Sequence, residues 1–102
     1  MEMLLTGEPV GADRAMRVGL VNQVVPLKEL HATAQNLGES IAANAPLSVA
    51  AAKKTVGLIA QYPLSDALKQ AEQIWKPVYE SADAQVGPSA FSTGRTPKWS
   101  GC

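Results

Sequence analysis

The amino-acid sequence predicts a mainly helical fold, and three observations carry that expectation. Alanine is abundant while aromatic residues make up only 5% of the chain, a composition that favours helix over sheet. Apolar residues recur at steps of three and four through most of the length, which is the period of one helical face. The pairs Ala45-Pro46 and Tyr62-Pro63 punctuate these runs where helices should start and stop.

In chain order, the first segment with a structural signal is "GADRAMRVGLVNQVVP". Ala12, Ala15, Met16 and Gly19 suggest a short helix closed by a glycine in the left-handed conformation. Leu20, Val21, Val24 and Val25 then suit one short extended segment near residues 20–25. After Pro26, the apolar residues Leu27, Leu30, Ala34, Leu37 and Ile41 step by three, four, three and four, so a helix is expected from about Leu27 to Ala43. Pro46 opens a second long helix, with Val49, Ala52, Val56 and Ile59 as its stripe and an end near Gln61. A third stripe runs through Leu64, Leu68, Ala71, Trp75 and Val78. Ser65 or Asp66 can cap its start, Glu72 and Lys76 form a favourable i,i+4 pair, and Pro77 should kink or end it. Three amphipathic helices with short connections make an antiparallel layer that must bury its apolar faces together or against a partner.

Length and charge narrow the function. A chain of 102 residues has room for a single domain, and at that size only about two thirds of the unfolded surface is buried. The nine basic and nine acidic residues cancel, leaving no field to attract nucleic acid or anionic lipid. No apolar run approaches the roughly 20 residues of a membrane span, and "MEMLLTGEPV" lacks the basic start and long apolar core of a signal peptide. The chain therefore reads as cytoplasmic. Its single cysteine, Cys102, provides no intrachain disulfide, and one histidine, His31, gives no transition-metal set.

No complete catalytic constellation emerges from the residues. Glu2, Glu8, Asp13, Glu29, Glu39, Asp66, Glu72, Glu80 and Asp83 read as helix-face or capping carboxylates, because none lies in an apolar run that would raise its pKa for general acid work. The glycines are scattered without a phosphate-cradling spacing, and Lys53-Lys54 reads as a solvated helix face. Cys102 has nothing near it in sequence to lower its pKa.

The order of the motifs carries more. "LLTGEPVGADRAMRVGLVNQVVP", then a helix, then "ANAPLSVAAAKKTV", then "SADAQVGPSAFSTGRTPKWSG" resembles the C-terminal portion of the enoyl-CoA hydratase/isomerase (crotonase) family over essentially the whole chain. The resemblance implies residues 1–102 as a single helical, trimerisation-type region of the crotonase fold, with the N-terminal catalytic core absent. It implies acyl-CoA hydration or isomerisation by the whole protein, with a coenzyme A thioester as substrate and no covalently bound cofactor. It also implies that the chain is inactive alone, because the oxyanion hole and catalytic carboxylates belong to that core. Implied partners are further copies in a trimer or hexamer, or the core itself. The alternative is a stand-alone helical oligomerisation or interaction module.

Within that frame Phe91 and Arg95 are the candidate coenzyme A contacts. Gly94 stands where some relatives carry a lysine that contacts the phosphate, and Phe91 is expected to pack the last helix. A third reading has coenzyme A bound without catalysis by Arg95, Lys53 and Lys54. Asp83 is expected to cap the last helix. Val86 replaces the family's usual Glu, which removes the reciprocal half of a capping box. Trp99 is expected to serve as a docking anchor.

Overall fold

The computed structural model describes residues 1–102 and divides them into two compact units, Met1–Asn36 and Leu37–Cys102. In the first unit, helix α1 (Glu2–Thr6) ends at Gly7, whose φ of +68° lets its N–H return to the Met3 carbonyl at 3.1 Å. Helix α2 (Ala12–Arg17) is tied back to α1 by Arg14, which donates to Glu2 at 3.0 Å. The expected glycine stop is present at Gly19, with φ +73°. Gly19 N–H donates to the Met16 carbonyl and Leu20 N–H to the Ala15 carbonyl at 2.8 Å, the paired bonds that satisfy the last free carbonyls of a helix.

The extended segment expected at 20–25 is not a strand. Residues 18–22 turn and bend, only 23–26 run free of turns, and no strand is present to pair with them. A strand needs a ladder partner, which composition alone cannot supply. A 3-10 turn at Leu27–Glu29 then leads into α3 (Leu30–Ala42), close to the expected span. Asn44 closes this helix by donating its side-chain amide to the Ser40 carbonyl at 2.7 Å.

The second unit is built on α4 (Pro46–Ile59) and α5 (Leu64–Tyr79), which pack on each other, with α6 (Asp83–Ser92) against α5. Pro46 takes the first position of α4, where its missing N–H costs nothing. The face that α4 turns inward is Leu47, Ala51, Thr55 and Leu58, whereas Val56 and Ile59 of the expected stripe are exposed. Alanine-rich helices offer two apolar faces, and the one centred on the buried Ala51 meets α5 here. On α5 the expected stripe holds from Ala71 through Trp75 and Val78, while Leu64 and Leu68 face outward.

Neither Ser65 nor Asp66 caps α5. Pro63 precedes its first turn, and Asp66 meets Lys69 at 3.8 Å, which is the ion pair of this helix in place of Glu72 with Lys76. Pro77 neither stops the helix nor marks its last residue, since α5 runs on to Tyr79. Placed in the final turn, it forfeits a single backbone bond.

The core consists of small residues: Ala15 in the first unit, and Ala51, Ala67, Ala71 and Ala90 in the second. No large side chain is fully buried, and Leu27 is 85% exposed. The apolar stripes are therefore real, and within this chain they are largely uncovered.

Candidate functional site

The polar chemistry of the second unit gathers around α6 and the chain that follows it. Ser81 prepares the start of α6: its hydroxyl donates to the Val78 carbonyl at 2.6 Å and accepts from Ala84 N–H at 3.3 Å. Asp83 is the first residue of the helix and does not cap it, contrary to the sequence expectation. Its carboxylate instead accepts three hydrogen bonds from residues 17 and 18 positions away. Ser100 N–H and Ser100 Oγ–H reach Oδ1 at 2.7 Å each, and Gly101 N–H reaches Oδ2 at 2.9 Å.

Asp83 is 4% exposed, the one buried polar residue of the chain. The Ser100 backbone N–H holds its carboxyl below the usual carboxylate value. Burial pushes in the opposite direction, and the Ser100 hydroxyl and Gly101 N–H add to the lowering. Donors that bond only the ionised form prevail over desolvation.

The far end of α6 is closed by Gly94, with φ +63°. Gly94 N–H donates to the Phe91 carbonyl and Arg95 N–H to the Ala90 carbonyl at 2.9 Å, repeating the geometry seen at Gly19. This turn sends residues 95–101 back along the helix as a strap. Trp99 anchors its end, as expected of a docking residue, and its dock lies within the same unit. The indole N–H donates to the Ala43 carbonyl at 2.8 Å, and the ring sits so close to Gly87 that a Cβ there would lie 3.4 Å from it.

Two hollows flank the strap. One, of about 490 Å³, is lined by Val86, Ser89, Ala90, Arg95, Pro97 and Lys98, among others. Val86 is thus half-buried against the returning chain, so the residue that replaces a capping partner is put to use in packing. The other, of about 380 Å³, is walled by Leu47, Trp75, Val78, Tyr79, Pro88 and Trp99, among others. Trp75 and Tyr79 stack at 5.9 Å, and the Trp75 indole N–H donates to Thr55 Oγ1 at 3.1 Å, joining α5 to α4.

Arg95 lies on the first hollow with its Nε donating to Thr93 Oγ1 at 2.9 Å. Lys98, which sequence reasoning missed, lines the same space. Phe91 is 90% exposed. It does not pack the last helix as expected, because its position on α6 faces away from α5 and the strap. Lys54 lines a separate apolar hollow with Ala51, Ile74 and Val78, so neither Lys53 nor Lys54 joins Arg95. His31 is exposed, and no group of three or more metal-ligating side chains forms.

A strandless set of amphipathic helices, with its long apolar side chains uncovered and its C-terminal strap folded on the last helix, is the helical C-terminal region of the crotonase fold. The chain belongs to the enoyl-CoA hydratase/isomerase family, which it matches over residues 1–102. It is similar to the carnitinyl-CoA dehydratase of Escherichia coli, at 36% identity over 98% of this chain. It is also similar to the (E)-benzylidenesuccinyl-CoA hydratase of Thauera aromatica, at 38% identity over 99% of this chain. The crystal structure of an enoyl-CoA hydratase from Mycobacterium marinum superposes with a TM-score of 0.93 at 36% identity, over 100% of this chain and 40% of that one. The chain spans 40% of the length of each of these curated relatives. No helix is long and apolar enough to cross a membrane.

Proposed function

We propose that this chain is the C-terminal helical part of a cytoplasmic protein that hydrates or isomerises an acyl-CoA thioester, and that it does not catalyse by itself. The observation that carries the reading is the match over the whole chain to acyl-CoA hydratases of which it spans two fifths. The state of the carboxylates supports the second half. All except Asp83 are exposed to water, and Asp83 is held ionised by three donors, the opposite of what a general acid needs. In this reading the uncovered stripes of α3, α4 and α5 meet a catalytic core or further copies of the chain, as a trimer or hexamer, and Arg95 and Phe91 face coenzyme A. The purified 102-residue chain is expected to leave crotonyl-CoA unhydrated, followed by the loss of enoyl absorbance. Turnover above a denatured control would overturn the inactivity.

A second reading, a stand-alone helical interaction module, is favoured by the strap: its Trp99 and Asp83 bonds are completed within the chain. It predicts a cooperative thermal transition and a defined oligomer at micromolar concentration. A molten, aggregating species would exclude it. In either case a calorimetric titration with coenzyme A tests Arg95 and Phe91, and the absence of saturable heat removes them as contacts.

A further inference from the structure

We propose that residues Arg95–Gly101 are a hinged strap, latched by the Asp83 carboxylate, whose opening and closing sets access to the aromatic hollow between α4, α5 and α6. The hinge is Gly94, where a side chain would meet nothing within 4 Å and the turn is held by its own local hydrogen bonds, with no side-chain packing on the glycine. The latch lies at the opposite end. Ser100 N–H, Ser100 Oγ–H and Gly101 N–H converge on Asp83, Ala82 N–H donates to the Cys102 carbonyl oxygen at 2.9 Å, and the Trp99 indole reaches Ala43. Between hinge and latch, Thr96, Pro97 and Lys98 run beside the hollow of about 490 Å³ instead of packing flat on α6. A segment fixed at its ends with few apolar contacts between them opens locally at a fraction of the global unfolding free energy.

Three of the closing bonds meet in a single residue, so that residue controls the strap. Asp83 faces no cation within salt-bridge distance. The titratable groups around it are Tyr79 from α5 and the Cys102 thiol, and α4 contributes only neutral residues to that wall. Its charge is therefore balanced by the strap's own donors and the N-terminal end of α6. Closure seats Trp99 against Gly87, and opening bares Leu47, Trp75, Val78, Tyr79 and Pro88.

Hydrogen exchange of the intact protein, compared with its Asp83→Asn variant, tests the latch. Asparagine keeps the shape, removes the charge and turns an amide NH2 toward a backbone donor. The expected result is exchange at Ser100 and Gly101 faster by roughly ten-fold or more, the scale of a lost charge-assisted hydrogen bond, with the α4 and α5 amides unchanged. Unchanged exchange at the strap overturns the proposal. Equal acceleration throughout the second unit overturns it too, since Asp83 would then be an ordinary stabilising residue. If Asp83→Asn does not fold, Ser100→Ala decides: it removes the hydroxyl's bond to Asp83 and its long contacts with Cys102, leaves both backbone donors, and should accelerate the same amides by a smaller factor, and no change there overturns the latch.

Discussion

The α4/α5 contact and the α6/strap junction lie in the same unit and are held by different physics. The first is a close approach of small side chains, with Ala51, Ala67 and Ala71 buried and one neutral bond from Trp75 to Thr55. The second is a convergence of donors on one carboxylate. Apolar contact is distributed and insensitive to pH, so no single polar change undoes it. A charge-centred junction is concentrated and ionisation-dependent, and one atom-for-atom substitution removes its centre. The difference teaches that one small unit can contain a part that unfolds only with the whole and a part that opens by itself.

Overpacking should break the comparison most strongly. Ala67 is 2% exposed, so Ala67→Leu is expected to destabilise the unit by about 1–3 kcal/mol, read as a lower thermal midpoint, while strap exchange governed by local opening stays as it was. Strap exchange that rises in step with the midpoint loss would join the two regions into one cooperative block.

Acid separates them from the other side. Because the folded pKa of Asp83 is lowered, its contribution is fully present above the ordinary aspartate value of about 3.9 and is lost as the pH falls through the lower folded value. Between pH 7 and about 5 the strap amides should keep their intrinsic-rate-corrected protection. Below about pH 4 they should lose it before the α4/α5 amides do. Protection that falls between pH 7 and 6 would assign the junction to a different group.

A smaller effect should come from Gly94→Ala. Nothing lies within 4 Å of the new Cβ, so the cost is the left-handed conformation alone, roughly 1 kcal/mol, visible as a modest fall in the thermal midpoint. Lys69→Ala should do least, within about 0.5 kcal/mol, because its partner Asp66 is also exposed. A larger loss would mean that α5 depends on surface charge more than on its alanine face.

Much of the fold was legible in the residues. Helical periods placed α3, α4 and α5 to within a few residues, and Gly19 announced its own left-handed stop. Helix formation and glycine caps depend on neighbours three to five positions away, so the order of residues carries them. The same motif order carried the family. The inward face of α4 was not legible, since Leu47–Ala51–Thr55–Leu58 and Val49–Ala52–Val56–Ile59 are both helical stripes and only the partner helix chooses between them. The role of Asp83 was misread for a related reason. Capping is a local expectation, and its real partners arrive from Ser100 and Gly101 after the chain has reversed at Gly94.

What the sequence determined by itself is a set of helices, their stops and a lineage, each resting on short-range geometry or on motif order. What only the tertiary structure decided is which faces meet and which polar atoms find one another. Trp99 under Ala43 and the strap on Asp83 are pairings across 56 and 17 to 18 positions. Even the shortest of them requires a turn away from the helix, and the free energy of such pairs exists only once the chain has folded to bring them within bonding distance.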